Sequence, residues 1–296
     1  MTSLMERIGK VWFDGQMLDG KLATIPVLTH GLHYASCVYE GERAYGGTVF
    51  KLREHTDRLL RSASLMDMDF PYSRDEIENA TREVLAVNGI QDGYIRPVAW
   101  RGSDTISTAA PGSRVHVAIC AWEWPRYYSQ ESSDRGLRLA IARWRRPDPR
   151  SAPIEAKASG HYMILTLSKH EALRAGFDDA LLLDLSGMIA EASSANVFFC
   201  RGDEIHTPRT DNILNGITRQ TVMEIARGKG LRVIERDIRP DEMGDFDEAF
   251  VTGTACELMA VREIEGTLFQ PGSVTEGLSK SFREMCRGQK AVEVIV

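Results

Sequence analysis

Ile154-Glu155-Ala156-Lys157-Ala158-Ser159-Gly160-His161-Tyr162 sets one lysine among residues too small to fence off its amine. The stretch falls between an expected strand and an expected helix, so a flat ligand has access to Lys157. A lysine amine becomes a useful nucleophile when burial or a nearby cation lowers its pKa, and it then forms imines with carbonyls. Alone, Lys157 reads first as a lysine that solvates a loop, and the surrounding chain has to change that reading. Around it the C-terminal half alternates strand and helix patterns. Leu137–Ala142 reads as a strand, and His161–Arg174 as an amphipathic helix closed by Gly176. Strands follow at Ala180–Leu185 and Asn196–Cys200, joined through Ser186–Glu191. A helix opens at Thr218, Arg232–Glu235 and Ala249–Thr252 are strands, and a last helix starts near Val274.

The N-terminal half mixes the two periodicities differently. Lys10–Gly15 and Gly20–Ile25 are short apolar runs separated by Gly and Asp, a hairpin signal. His30–Tyr45 is dense in aromatics, glycine and ionisable groups. It is poor core material, because each charge would need a buried partner, and it is read as a strand and loop facing a cavity. Thr48–Leu52 reads as a strand. Arg53–Met66, with Leu59, Leu60, Ala63 and Met66 on one side, reads as a helix. Ser73-Arg-Asp-Glu76 is a capping box for a second helix that buries Ile77, Ala80 and Val84 and stops before Gly89. Strands are expected at Tyr94–Trp100 and Val115–Ala121. Residues 123–135 lose all periodicity and are taken as the interdomain loop between a smaller α+β domain, 1–122, and a larger α/β domain, 136–296.

Composition bounds the function. A chain of 296 residues, 43% hydrophobic and 26% charged, has room for two globular domains. A net charge of −6 argues against nucleic acid as the main partner, and no apolar run approaches the roughly 20 residues that span a bilayer. Five cysteines without CxxC spacing, and an N-terminus without a signal-peptide core, point to the cytoplasm. Seven scattered histidines, with only Cys37 near His30 and His33, give no metal-ligand spacing, so no metal is expected.

Three further stretches carry candidate chemistry. Asn215-Gly216-Ile217-Thr218-Arg219 leads into a helix with Thr218 as the expected N-cap. Its backbone N–H groups and hydroxyl form a seat for phosphate, or simply an ordinary capped helix. Thr252-Gly-Thr254-Ala255-Cys256 follows a strand as a turn able to hold an anion, or as a plain strand-to-helix turn. Glu191 precedes small residues and Asn196, and a carboxylate so placed can keep the nitrogen of a heteroaromatic cofactor protonated.

The order of these features resembles the fold-type IV pyridoxal-phosphate enzymes, and among them the branched-chain amino-acid aminotransferases. The resemblance covers most of the chain, from Trp12 to about Val261. It is carried by His33-Tyr34-Ala-Ser-Cys-Val-Tyr39-Glu-Gly41-Glu-Arg43, Phe50-Lys-Leu-Arg53-Glu-His55, Tyr94-Ile-Arg96-Pro97, Ala156-Lys157-Ala158, Glu191, Asn215–Arg219 and Gly253-Thr254-Ala255. It implies an α/β fold whose C-terminal, cofactor-binding domain is barrel-like, and pyridoxal 5'-phosphate as cofactor. It further implies that Lys157 forms the Schiff base and shuttles the proton, that Glu191 pairs with the pyridine nitrogen and that Tyr162 donates toward the ring oxygen. Arg53, Ile217, Thr218 and Thr254 would hold the phosphate. Tyr34, Tyr39, Arg96 and Tyr127 would surround the substrate, with Gly41 and Arg43 nearby, and Thr254 and Ala255 would bind its α-carboxylate. The implied substrates are small amino acids and 2-oxo acids, and the implied assembly is a homodimer or a higher homo-oligomer.

The chain departs from the family pattern at three places. Ala195 stands where many relatives carry a second glutamate, Tyr39 replaces a usual phenylalanine, and Arg126 adds a cation near the expected pocket. The leading expectation is transamination between branched-chain L-amino acids and 2-oxoglutarate. The alternatives are a D-amino-acid or (R)-amine transaminase, an aminodeoxychorismate-type lyase, and a noncatalytic cofactor carrier.

Overall fold

The computed structural model describes residues 8–124 and 127–288, which divide into two compact units. One comprises 8–124, 156–160 and 286–288; the other comprises 127–155 and 161–285. Arg126 lies outside the described residues.

The first unit opens with β1 (Lys10–Phe13) and β2 (Gln16–Asp19). Their hairpin is tighter than expected, because Asp14 and Gly15 both take positive φ, 48° and 87°, and supply a two-residue turn. Gly20–Leu22 is consequently a 3-10 turn and not the second strand. His30–Tyr34, expected in a strand and loop, is a short helix, α1, ended by Ala35 in the left-handed region. Then come β3 (Cys37–Tyr39), β4 (Glu42–Tyr45) and β5 (Thr48–Val49). Strand β5 is cut short because Lys51 turns left-handed and starts α2 (Leu52–Leu65). Both halves of the capping box at Ser73 form at the start of α3 (Arg74–Asn88), and Gly89 ends that helix at φ 65°. Strands β6 (Gly93–Arg101) and β7 (Val115–Glu123) pair along their whole lengths. The antiparallel sheet runs β2-β1-β7-β6-β4-β5, with β3 also on β6.

Leu59 and Ala63 of α2 and Ile77, Ala80 and Val84 of α3 are buried in one core with Ile95, Val117 and Ile119 of the sheet. Full burial of one such aliphatic side chain contributes roughly 1.5–3 kcal/mol. Ala156 and Ala158 join this same core. The small residues flanking Lys157 therefore serve close packing rather than access to its amine.

The second unit begins with α4 (Gln130–Arg135), capped by Ser129, so the stretch 123–135 is not uniformly irregular. Its strands are β8 (Leu137–Arg145), β9 (Asp179–Leu183), β10 (Ile189–Ala192), β11 (Asn196–Arg201), β12 (Glu204–Thr207), β13 (Arg232–Glu235), β14 (Glu248–Gly253), β15 (Glu257–Ile264) and β16 (Thr267–Leu268). Helices α5 (Tyr162–Arg174), α6 (Ile217–Gly228) and α7 (Ser273–Gly288), the last up to residue 285, complete it. The sheet runs β10-β9-β8-β15-β14-β11, and the pair Glu191↔Asn196 joins β10 back to β11. Six strands thus close into a ring, which makes the unit barrel-like, while β12 and β13 extend from β11 and β16 from β15. Leu137, Leu139, Leu181, Val197, Phe199, Val251 and Val261 share one core. Helix α5 lays Leu165 and Ala172 against Ala142, Ala180 and Leu182. Because β9 and β10 are buried along every residue, neither shows the alternation that marks a half-exposed strand.

Candidate active site

In the first unit, the segment 156–160 behaves as an added edge beside β3. Ala158 bridges Val38, the Tyr39 N–H donates to the Lys157 carbonyl at 3.1 Å, and the Lys157 N–H donates to Ser62 Oγ of α2 at 2.9 Å. With Ala156 and Ala158 turned into the core, Lys157 faces the other way, its Nζ 5.0 Å from the centre of the Tyr39 ring. The Arg96 guanidinium stacks over the same ring at 4.4 Å and donates to the Tyr94 hydroxyl at 3.1 Å. Gly41 is required here. A Cβ at that position would collide with the Tyr94 hydroxyl. Lys157, Tyr39, Gly41 and Arg96 are thus brought together through Tyr94, which was not among the expected site residues.

Arg43 pairs with Tyr94 in the sheet and lays its guanidinium 5.4 Å from the Tyr45 ring. Tyr34 is 44% exposed and donates its hydroxyl to the Ile106 carbonyl at 2.7 Å. Arg53, the second residue of α2, is exposed.

Behind Tyr39 and Gly41 lies a buried ionic cluster. Glu40 accepts from His55 Nδ1 at 2.7 Å and from Arg58 Nε and Nη2 at 2.6 and 2.9 Å. Burial pushes the Glu40 carboxyl up, but Arg58 and His55 outweigh it and hold Glu40 well below the usual carboxylate range. Burial also lowers the His55 pKa; Glu40 opposes this, while the charges of Arg58 and Lys157 add to it.

In the second unit, Glu191 of β10 is buried and fixed from two sides. Arg146 Nε lies 3.0 Å from Oε1, a charge contact, and Asn196 Nδ2 donates to Oε2 at 3.2 Å. Asn196 also donates to the Leu214 carbonyl at 2.9 Å, linking the carboxylate to the loop before α6. Gly216 sits so close to Asn196 that a Cβ would strike its Oδ1. Gly216, and not Thr218, is the N-cap of α6. It is extended, has no side chain to cap with, and leaves Ile217 and Thr218 as the first two helical residues. Thr252, opposite Asn196 in the sheet, has a buried hydroxyl with no hydrogen-bond partner among the described residues.

The stretch Thr252–Cys256 leads into a strand and not into a helix. Gly253 pairs with Glu257 and leaves Thr254, Ala255 and Cys256 as a hairpin loop, half-exposed at Thr254 and Ala255. Tyr162 opens α5, half-buried against the α5 core, and the Tyr127 hydroxyl lies 3.1 Å from Ser194 Oγ. Burial raises the thiol pKa of Cys37 and pushes that of Cys256 up to about 12, so both are neutral packing groups.

Ser62, Tyr94, Arg146 and Asn196 contact the expected site residues without having been assigned a part. Asn196 stood out in sequence only as a polar residue opening an apolar strand. Arg146 carried no signal, because its role exists only once β10 lies beside it.

The family described as amino-transferase class IV matches residues 37–264. The chain is 40% identical, over 97% of its length and 96% of the relative's, to a branched-chain-amino-acid aminotransferase of Pseudomonas aeruginosa. A branched-chain aminotransferase of Thermoproteus uzoniensis, solved with norvaline, superposes with a TM-score of 0.91 at 38% identity, covering 96% of each chain. A branched-chain amino acid aminotransferase of Thermobaculum terrenum in its PLP form gives 0.88 at 30% identity, also over 96% of each. With the family pattern spanning both Lys157 and Glu191, and relatives matched almost end to end, the chain belongs to the class IV aminotransferases.

Proposed function

We propose that this protein is a pyridoxal 5'-phosphate-dependent transaminase that moves the amino group between branched-chain L-amino acids and 2-oxoglutarate. The observation that carries the reading is the buried Glu191 carboxylate, fixed between Arg146 and Asn196 and continuous through Asn196 with the start of α6. Arg146 gives the Glu191 side chain a charge partner and Asn196 a hydrogen bond, and a carboxylate held in place this way can pair with the protonated nitrogen of a pyridine ring. Gly216 and the first N–H groups of α6 suit an anion, and the unpartnered Thr252 hydroxyl is a further donor beside Asn196. The residues present therefore fit the group: Lys157, Tyr162, Glu191, Ile217, Thr218 and Thr254 would hold it, with Arg53 as the phosphate cation.

Bound pyridoxal phosphate supplies an electron-poor ring that draws electrons from the substrate's Cα–H bond. With that group bound, Lys157 Nζ would be the amine that links to it covalently and would move the proton at the substrate Cα. The clamped Lys157 backbone limits where the amine can reach. Arg96 offers a guanidinium to the distal carboxylate of 2-oxoglutarate, and the Tyr39 ring on which it stacks, together with Tyr34 and Tyr127, offers apolar surface to an aliphatic side chain. Thr254 and Ala255 present hairpin backbone to the α-carboxylate, and Gly41 and Arg43 flank the substrate. The branched-chain assignment follows the activity for which the relatives are named.

The protein is further proposed to form a homodimer or larger homo-oligomer in the cytoplasm. Exposed Leu22, Ile25, Val27, Leu28 and Leu32 support assembly, and five cysteines, an odd number with no CxxC spacing, suit a reducing compartment. Among the described residues no helix is long and apolar enough to cross a membrane.

The test supplies the purified protein with pyridoxal phosphate and 2-oxoglutarate and offers L-leucine, D-alanine or (R)-1-phenylethylamine. Glutamate formed from L-leucine alone is the expected result; consumption of either other donor with L-leucine untouched would reverse the assignment. Lys157→Ala is expected to abolish turnover and to lose the covalent link that borohydride fixes in the unaltered protein. A retained link would show that another amine binds the cofactor.

A further inference from the structure

Lys169 projects from α5 and pairs with Asp179 Oδ2 at 3.1 Å, a carboxylate with no exposed surface. The same ammonium lies 3.2 Å from the Tyr127 hydroxyl and 4.7 Å from the centre of its ring. Asp179 is engaged on its other sides too. The Tyr128 hydroxyl donates to Oδ2 at 2.7 Å, and Ser193 Oγ and the Ala180 N–H donate to Oδ1.

Two surfaces converge on this cluster. The Tyr127 hydroxyl meets Ser194 Oγ at 3.1 Å, and Ser193–Ala195 is the turn that carries the chain from Glu191 into β11. Gly253 approaches that turn so closely that a Cβ would lie 3.1 Å from the Ser194 carbonyl oxygen and 3.6 Å from Ala195 Cβ. One ammonium thereby braces an aromatic ring, the turn after Glu191 and, through that turn, the base of the Thr254–Ala255 hairpin. Neutralising Asp179 alone would not require contact with Tyr127. A lysine has three donors to distribute, and here two of them point at partners that lead to different parts of the unit.

We propose that Lys169 is a positioning residue that sets substrate specificity, holding Tyr127 and the Ser193–Ala195 turn where they bound the aliphatic side chain and the α-carboxylate of the amino acid. The proposal rests on the reading of Tyr127 as a substrate contact. It predicts that Lys169 governs affinity and side-chain discrimination, while the rate of the chemical step is left to Lys157.

Lys169→Met alone strands the Asp179 charge and can unfold the protein, so the test uses three other variants. Lys169→Met with Asp179→Asn removes both charges, Tyr127→Phe removes one hydroxyl, and Lys169→Arg keeps the cation. Each is compared in steady-state kinetics with L-leucine and L-alanine, and by the calorimetric affinity of the cofactor-bound protein for unreactive 4-methylpentanoate. The double variant and Tyr127→Phe are expected to raise KM for L-leucine and weaken 4-methylpentanoate about tenfold, and to reduce the leucine-over-alanine preference. The kcat of the double variant should stay within about twofold, and Lys169→Arg should keep the affinity of the unaltered protein. If the folded double variant keeps its KM, its carboxylate affinity and its preference while the unaltered protein turns over L-leucine, Lys169 is only a structural charge. If the unaltered protein neither turns over L-leucine nor binds 4-methylpentanoate, the branched-chain reading itself fails and takes the proposal with it.

Discussion

Glu40 and Glu42 are both without exposed surface; Arg58 and His55 bond to Glu40, whereas neither Glu42 carboxyl oxygen has a hydrogen-bond partner among the described residues. Burial raises the Glu42 pKa well above the usual range, the Glu40 charge and Glu78 raise it further, and Arg58 opposes them. A carboxyl whose folded pKa is raised keeps its proton to a higher pH in the fold than in the unfolded chain. Its stability contribution is complete below the unfolded pKa and is lost as pH rises through the folded one. Glu42→Gln keeps the shape and removes the proton equilibrium. Its urea midpoint should match the unaltered protein at pH 5 and exceed it by a margin that grows toward pH 8; a margin that does not change with pH would show that Glu42 does not titrate there. The composition of His30–Tyr45 announced that its charges would need partners, and for Glu40 they exist. Nothing local revealed that they come from α2 or that Glu42 would have none. Ala156 and Ala158 show the same limit in reverse. Their small size was legible, but whether it served a ligand or a core depended on which strand lay beside them.

Among the elements, α3 was the most legible because its signals are local. Ser73 Oγ accepts the Glu76 N–H, the Glu76 carboxylate accepts the Ser73 N–H at 2.7 Å, and Gly89 takes the left-handed cap. Ser73→Ala should lower unfolding stability by about 1 kcal/mol without altering turnover, since α3 carries no candidate site residue. Equal chemical-denaturation midpoints for the two proteins would show that the box contributes nothing. Elements with no local signature went unseen. Strand β10 has four buried residues and no alternation, and α1 is one turn long. Thr218 matched the favoured type for a cap, but Gly216 holds that place because Asn196 leaves no room for a side chain. That steric demand arises between residues far apart in sequence. The candidate site was therefore readable as residue types in order, while the residues bracing it, Ser62, Arg146 and Asn196, were not.

At the scale of the whole molecule, closure of the β8–β11 and β14–β15 ring depends on the single pair Glu191↔Asn196, which binds fold and candidate chemistry to the same two residues. Alternating strands and helices foretold an α/β unit; only long-range pairing makes it barrel-like. The surface carries a second whole-molecule consequence. Between residues 20 and 34 the first unit exposes Leu22, Val27, Leu28 and Leu32 at 69%, 77%, 57% and 62% of their areas. Exposed apolar side chains grouped this way are uncommon on a monomer, and covering them removes apolar area from water at roughly 25 cal/mol per Å². Val27→Glu combined with Leu32→Glu places two charges in that group, and a charge buried at an interface without a partner is strongly unfavourable. These side chains face solvent in the single chain, so the double variant should keep its far-ultraviolet circular dichroism and its unfolding midpoint at low concentration. Light scattering should find the unaltered protein at twice the chain mass or a higher multiple, and the variant shifted toward the chain mass. A variant with unchanged mass would move the contact to another face. An unaltered protein that stays at the chain mass at micromolar concentration would leave assembly without support, since the apolar group would then be in water.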